Sequence, residues 1–120
     1  MVTETLDILH DQFPGCQTLA FADLSTQMVL VTNSGTTDSR ETLDALCAEA
    51  ALAFGTASIP ALGTCATHTI FVSTADQLHI YLRDTKEPGD ALCCICRHDI
   101  ALDRFVIAAR SCLEQISHGL

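Results

Sequence analysis

Between Ala45 and Phe54 the chain reads Ala-Leu-Cys-Ala-Glu-Ala-Ala-Leu-Ala-Phe, almost three helical turns that carry one charge, Glu49. Alanine and leucine are strong helix formers, so local preference predicts a helix here. A surface helix ordinarily opposes an apolar stripe to a polar face, and one that is apolar all round has to be covered on more than one side. A domain with a single sheet layer covers only one of those sides. The other face therefore predicts a partner, and the small side chains predict a close one: a second copy of the same helix in a two-fold dimer. Leu43, Leu46, Cys47, Ala50 and Phe54 are the residues expected at that contact. Two other expectations compete with it. Another helix of the same chain could pack over this one, or the alanines could simply be helix formers on a tolerable surface.

The rest of the chain divides into short elements. Leu6, Leu9 and Phe13 recur at helical spacing from Thr3 to Phe13, and Pro14-Gly15 stops the segment. Cys16 to Leu24 and Met28 to Thr32 flank the polar Ser25-Thr26-Gln27 break and predict a β-hairpin. Asp38 stands three residues before Glu41, the spacing of a capping box, so the apolar helix is expected from near Ser39 to Gly55. Thr56 to Thr64, with Pro60 and Gly63, is expected to cross back to the sheet. Ala66–Ser73, Leu78–Arg83 and Ala91–Arg97 predict three more strands, the last two joined by the solvated turn from Asp84 to Asp90. Asp99 is the expected cap of a final helix to Ser117, whose apolar stripe is Leu102, Phe105, Val106, Ala109, Leu113 and Ile116. The expected fold class is α+β: a five-stranded antiparallel sheet with three helices in the order α-β-β-α-β-β-β-α, one domain over residues 1–120.

Charge narrows the partners. Fifteen acidic against six basic residues leave a net charge of -9, which repels phosphate backbones and anionic lipid headgroups. No apolar run approaches the roughly 20 residues that span a bilayer, and the first residues lack the pattern of a signal peptide. The expectation is a cytoplasmic protein that binds neither nucleic acid nor the membrane interior. Seven cysteines, an odd number set within apolar stretches, are expected as reduced, buried small hydrophobes.

Candidate chemistry is thin. Strand alternation puts Cys94, Cys96 and His98 on one face, and thiolates with imidazole suit zinc. Zinc ligands more often sit on knuckles at wider gaps, and a fourth would have to come from Cys65, His68 or Cys112, so core packing is the expectation. A cysteine nucleophile needs a base, which His68, His79 or His98 could supply, but nothing local singles one out. Phosphate-cradling glycine motifs are missing, and the turns at Asp76, Asp84 and Asp90 lack calcium-loop spacing. No catalytic residue, cofactor or metal is expected.

Several local patterns together resemble the Roadblock/LC7 family over about residues 3 to 117. They are the first helix ending in Phe13-Pro14-Gly15, Leu19-Ala20-Phe21-Ala22-Asp23 leading into the hairpin, and the apolar second helix. Thr69-Ile70-Phe71-Val72, His79-Ile80-Tyr81-Leu82 and Ala109-Arg110 in the closing helix complete the likeness. The first hairpin departs from it: the family commonly has Asp-x-x-Gly where this chain has Asp23-Leu24-Ser25-Thr26. The resemblance implies homodimerisation through the second helix and an adjoining sheet edge, and a non-enzymatic adaptor or scaffold that regulates a Ras-like small GTPase. The alternative is a thiol- or ligand-responsive sensor built on the cysteine-rich fifth strand.

Overall fold

The computed structural model describes residues 2–57, 68–87 and 89–118. Its elements are α1 (Val2–Gln12), β1 (Cys16–Asp23), β2 (Met28–Thr32), α2 (Arg40–Ala57), β3 (Thr69–Ser73), β4 (Leu78–Arg83), β5 (Asp90–Cys96) and α3 (Leu102–Ser117), in the expected order. The strands form one sheet in spatial order β2-β1-β5-β4-β3, and every pairing is antiparallel. The centre of the sheet joins distant parts of the chain, with β1 running beside β5 from Cys16 opposite Cys96 to Asp23 opposite Asp90.

Side chains along a strand alternate between faces, and here both faces are covered. Ile80 and Leu82 of β4, with Leu92, Cys94 and Cys96 of β5, join Leu6, Leu9, Phe105, Ala109 and Leu113 of α1 and α3 in one core layer. Tyr81, Cys93 and Ile95 turn the other way, to Leu43, Leu46, Cys47, Ala50 and Phe54 of α2. Every residue from Ala91 to Cys96 is consequently buried, which is why β5 reads as a continuous apolar run rather than an alternating one.

The element ends differ from the sequence expectations in ways that have local causes. Ser39, not Asp38, caps α2: its hydroxyl accepts from the Thr42 amide at 3.2 Å, and its carbonyl accepts the Leu43 amide at 3.0 Å. The Asp38 carboxylate is instead taken by the Thr18 hydroxyl of β1. Gly55 does not end the helix, which continues to Ala57; a glycine inside a helix costs only about 1 kcal/mol relative to alanine. Asp99 does not cap α3 but pairs with Arg97 at 2.9 Å, and Ala101 takes the cap position without a side-chain bond. The expected crossing connection from Thr56 to Thr64 starts too early, since Thr56 and Ala57 still belong to α2; its remainder with Pro60 and Gly63, the first residues of the expected third strand, and Cys65 lie outside the described residues.

In the β1–β2 hairpin the left-handed backbone position falls on Gln27, with φ of 55°. Asp23 holds the turn instead of a glycine, accepting from the Ser25 amide at 3.0 Å and the Ser25 hydroxyl at 2.6 Å. At the opposite side of the sheet Arg110 of α3 donates to the backbone carbonyls of Arg83 and His68 and to the Thr69 hydroxyl. One guanidinium therefore fastens the last helix to the neighbouring ends of β3 and β4. Asp84, fully buried, accepts the Lys86 and Glu87 amides at 3.0 and 2.8 Å and faces His118 at 3.3 Å.

Two stability measurements check this packing. Phe105, fully buried with its ring edge-on to Phe13 at 5.3 Å, should lose about 3–5 kcal/mol on replacement by alanine. The same change at Ile107, 73% exposed, should move the urea midpoint by less than about 0.5 kcal/mol equivalent. Gln27→Gly relieves a positive φ at the expense of a freer unfolded chain, and should be neutral to stabilising, by up to about 1 kcal/mol. A clear loss there would show that the glutamine side chain contributes to the turn.

Candidate interaction surface

The five residues expected at a helix-to-helix contact all turn toward the chain's own sheet. Leu43 is 8% exposed, and Leu46, Cys47, Ala50 and Phe54 are 4% or less. Their spacing of three and four residues makes one helix face, and its partners are small: Ala20 and Ala22 of β1 and Cys93 of β5. That face is occupied within the monomer, so a charge at Leu46 or Ala50 strikes the fold first.

What remains for a partner is the opposite face. Arg40, Glu41, Thr42 and Asp44 are exposed in the first turns of α2, followed by Ala45, Ala48 and Leu52. Leu52 is 73% exposed, among the most exposed large apolar side chains described. The polar first turns belong to the β1–β2 side, where Asp38 is tied to Thr18. The apolar second half lies toward β4, where the Arg83 guanidinium sits 4.7 Å from the centre of the Phe54 ring. Next to β4 is the edge strand β3, whose Ile70 and Val72 are partly buried on the α2 side.

Glu49 explains itself in this setting. Its carboxylate meets His79 Nδ1 at 2.9 Å and accepts the Tyr81 hydroxyl, while His79 Nε2 meets Gln77 at 3.2 Å. Burial pushes the Glu49 carboxyl up, but the bonds from His79 and Tyr81 outweigh it and hold it below the usual carboxylate range. Burial and the adjacent carboxylate push Tyr81 up, so its hydroxyl stays a donor. The one charge within the Ala45–Phe54 stretch of α2 thus satisfies the hydroxyl of a tyrosine buried in the sheet. Sequence reasoning missed this trio, though a solitary acid above strand residues His79 and Tyr81 was its available signal.

The described thiols form packing rather than a reaction centre. Cys94 and Cys96 meet Cys16, and their hydrogen bonds pull the Cys16 thiol below its ordinary value; all three are fully buried. His98, which alternation alone would set beside them, lies past the strand end, exposed, with Nε2 2.9 Å from the Thr74 carbonyl. Among the described residues no group of three His, Cys, Asp or Glu side chains could hold a metal ion. Arg110 is used internally, and Arg104 is exposed on α3.

The Glu49 trio makes a measurable claim. Glu49→Ala leaves a buried hydroxyl with a poorer acceptor and should cost about 1–3 kcal/mol; in a Tyr81→Phe background it should cost less, with a coupling of about 0.5–3 kcal/mol. Because the folded pKa lies below the ordinary 4.5, this stabilisation is fully present above that value and is lost as pH falls through the lowered one. Urea titrations of the four proteins across that range check both statements, and equal costs in the two backgrounds would dismiss the coupling.

No protein-family model and no curated protein matches this chain. Solved structures do. A Roadblock/LC7 domain from Streptomyces avermitilis superposes with a TM-score of 0.77 at 12% identity, covering 96% of this chain and 93% of that one. The gliding protein MglB from Thermus thermophilus gives 0.79 at 12% identity, over 98% and 86% of the two chains. An MglB in a tetrameric arrangement gives 0.81 at 12% identity, over 98% and 85%. Identity this low carries the backbone and not the activity: the chain has the Roadblock/LC7 fold.

Proposed function

We propose that this chain is a non-enzymatic module that acts by binding protein, first a second copy of itself, and that residues 1–120 form one such unit. The observation that carries the reading is the outer face of α2, where Ala45, Ala48 and Leu52 stand exposed above a face already filled by the sheet. Small side chains let two helices approach closely, and an isologous two-fold contact presents the same face from both copies. Helix α2, 18 residues long, offers an outer face of about 27 Å by 10 Å, roughly 300 Å². A stable interface buries about 800 Å² per partner, so the contact extends to the adjoining β3 edge and continues the sheet across both copies.

The fold supports the same reading, since an MglB structure that shares it is described in a tetrameric arrangement. As a dimer the module would be an adaptor or scaffold, with a Ras-like small GTPase as the expected further partner. Six described cysteines, all free and buried, suit a reducing compartment, and we place the protein in the cytoplasm. Among the described residues no helix is long and apolar enough to cross a membrane.

Sedimentation equilibrium at micromolar concentration should give twice the 12.9 kDa chain mass. Leu52→Glu should bring it to the monomer value with an unchanged circular dichroism spectrum, whereas Leu46→Glu should unfold the chain. A wild-type protein that sediments as a monomer overturns self-association. Small GTPases recovered with the wild type should change their rate of GTP hydrolysis when the purified dimer is added.

A further inference from the structure

The sheet has two edges, and they are built differently. At the β2 edge the pairing with β1 is broken by a register shift between Phe21 and Ala22, a bulge of the kind that keeps an edge from joining another strand. Charge, proline and bulges are the usual guards of an edge, and β3 has none of them. Thr69-Ile70-Phe71-Val72-Ser73 is uncharged and pairs with β4 without a register shift. Among the described residues β3 has no neighbour on its outer side.

The hydrogen bonds to β4 fix which backbone groups of β3 point outward. The Arg83 amide donates to the His68 carbonyl at 2.8 Å, and the Thr74 amide donates to the Gln77 carbonyl at 2.9 Å. With Thr69 opposite Leu82 and Phe71 opposite Ile80, it is therefore His68, Ile70, Val72 and Thr74 that bond inward. Successive residues of an antiparallel ladder alternate, so Thr69, Phe71 and Ser73 aim their amides and carbonyls away from the sheet. Side chains alternate as well. Phe71 shares the α1–α3 face with Ile80 opposite it, while Ile70 and Val72 lie on the α2 face. Phe71 is 47% exposed, a large ring in water at the midpoint of an unguarded edge.

The segment has the same chemistry read from either end: hydroxyl, β-branched apolar, phenyl, β-branched apolar, hydroxyl. We propose, building on the self-association inferred above, that two copies join β3 to β3 antiparallel about a two-fold axis through Phe71. Phe71 then lies opposite the partner's Phe71, Thr69 opposite the partner's Ser73 and Ile70 opposite the partner's Val72. Ring meets ring and hydroxyl meets hydroxyl on the α1–α3 face, while β-branched side chains pair on the α2 face. In this register Thr69, Phe71 and Ser73 of both copies all exchange backbone hydrogen bonds. An axis at Ile70 leaves Ser73 without a partner in the strand, an axis at Val72 leaves Thr69 without one, and an axis between residues sets outward groups against inward ones. A foreign strand has no need of a segment symmetric about its centre, whereas an isologous contact requires one. The outer face of α2, roughly 300 Å², also falls short of the about 800 Å² per partner of a stable interface, and the β3 edge adjoins it.

Amide hydrogen exchange on the wild type and on Leu52→Glu reads the edge. The Thr69, Phe71 and Ser73 amides should exchange at least about tenfold more slowly in the wild-type dimer than in the variant. The difference should be smaller at Ile70 and Val72, which bond to β4 in either state. In a dimer mixed from isotope-labelled and unlabelled copies, filtered NOE spectra should place the Ile70 Hα beside the partner's Val72 Hα, as in a pair without mutual backbone bonds. Phe71→Lys sets like charges opposite one another and should sediment as a monomer with an unchanged circular dichroism spectrum, whereas Met28→Lys on the β2 edge should stay a dimer. A dimer that Leu52→Glu still separates, but whose outward β3 amides exchange freely, overturns the pairing and leaves self-association standing. So does a contact of Ile70 with the partner's Ile70 or of Val72 with the partner's Val72, and so does a Phe71→Lys protein that remains dimeric. A monomeric wild type overturns both readings and leaves the edge to a strand of another protein. Slow outward amides in the monomer would mean that the chain covers its own edge, which overturns the pairing as well.

Discussion

The pairing of β1 with β5 is the constraint on which the rest of the molecule depends. It is the strand contact that joins distant parts of the chain, and it puts the two most buried strands at the centre of the sheet. A central strand covered on both faces has no polar side, so the helices must divide between the faces. With α1 and α3 on one side, α2 is the one helix among the described residues that covers the other.

The two layers solve different packing problems. Under α1 and α3 the sheet presents Leu19, Ile80, Leu82 and Leu92, large side chains that interdigitate with Leu6, Phe105 and Leu113. Under α2 the central strands present Ala20, Ala22 and Cys93, and the helix answers with Cys47 and Ala50. Small residues on both sides let the helix axis come close to the sheet, and the larger Tyr81 and Phe54 fill the space toward β4. A cysteine is well suited to such positions, being small and apolar with a weak donor. That accounts for the abundance of thiols in the central strands without any appeal to their reactivity, since a fully buried sulfur is out of a substrate's reach.

Among the described residues a single helix covers that side of the five-stranded sheet, and this is where the apolar character of α2 acquires meaning. Its buried face is committed to the monomer, yet beyond the charged first turns its other face carries Ala45, Ala48 and Leu52 instead of the charges a solvated helix would have. The Glu49 carboxylate, which could have made that face polar, is drawn to His79 and Tyr81. The α1–α3 side is the reverse: the helices that expose Ile8 and Ile107 also expose Glu4, Asp11, Asp103 and Glu114, so the two faces of the molecule offer chemically different surfaces.

The sequence by itself determined the elements and their order, because helix periodicity, strand alternation and the breaks at Pro14-Gly15 and Ser25-Thr26-Gln27 are local properties felt within a turn or two of chain. It also marked α2 as a helix with too little charge. Cap positions were legible only to within a residue or so, since Asp38 and Asp99 have chemistry suited to a cap but found better partners in Thr18 and Arg97. Tertiary structure alone decided which residues of α2 face inward. From Ala45 to Phe54 only Glu49 is polar, so that stretch has little sequence asymmetry to orient it, and its rotation is settled by the shape of the sheet beneath, where Ala20, Ala22 and Cys93 leave room for Leu46, Cys47 and Ala50 and turn Leu52 to the outside.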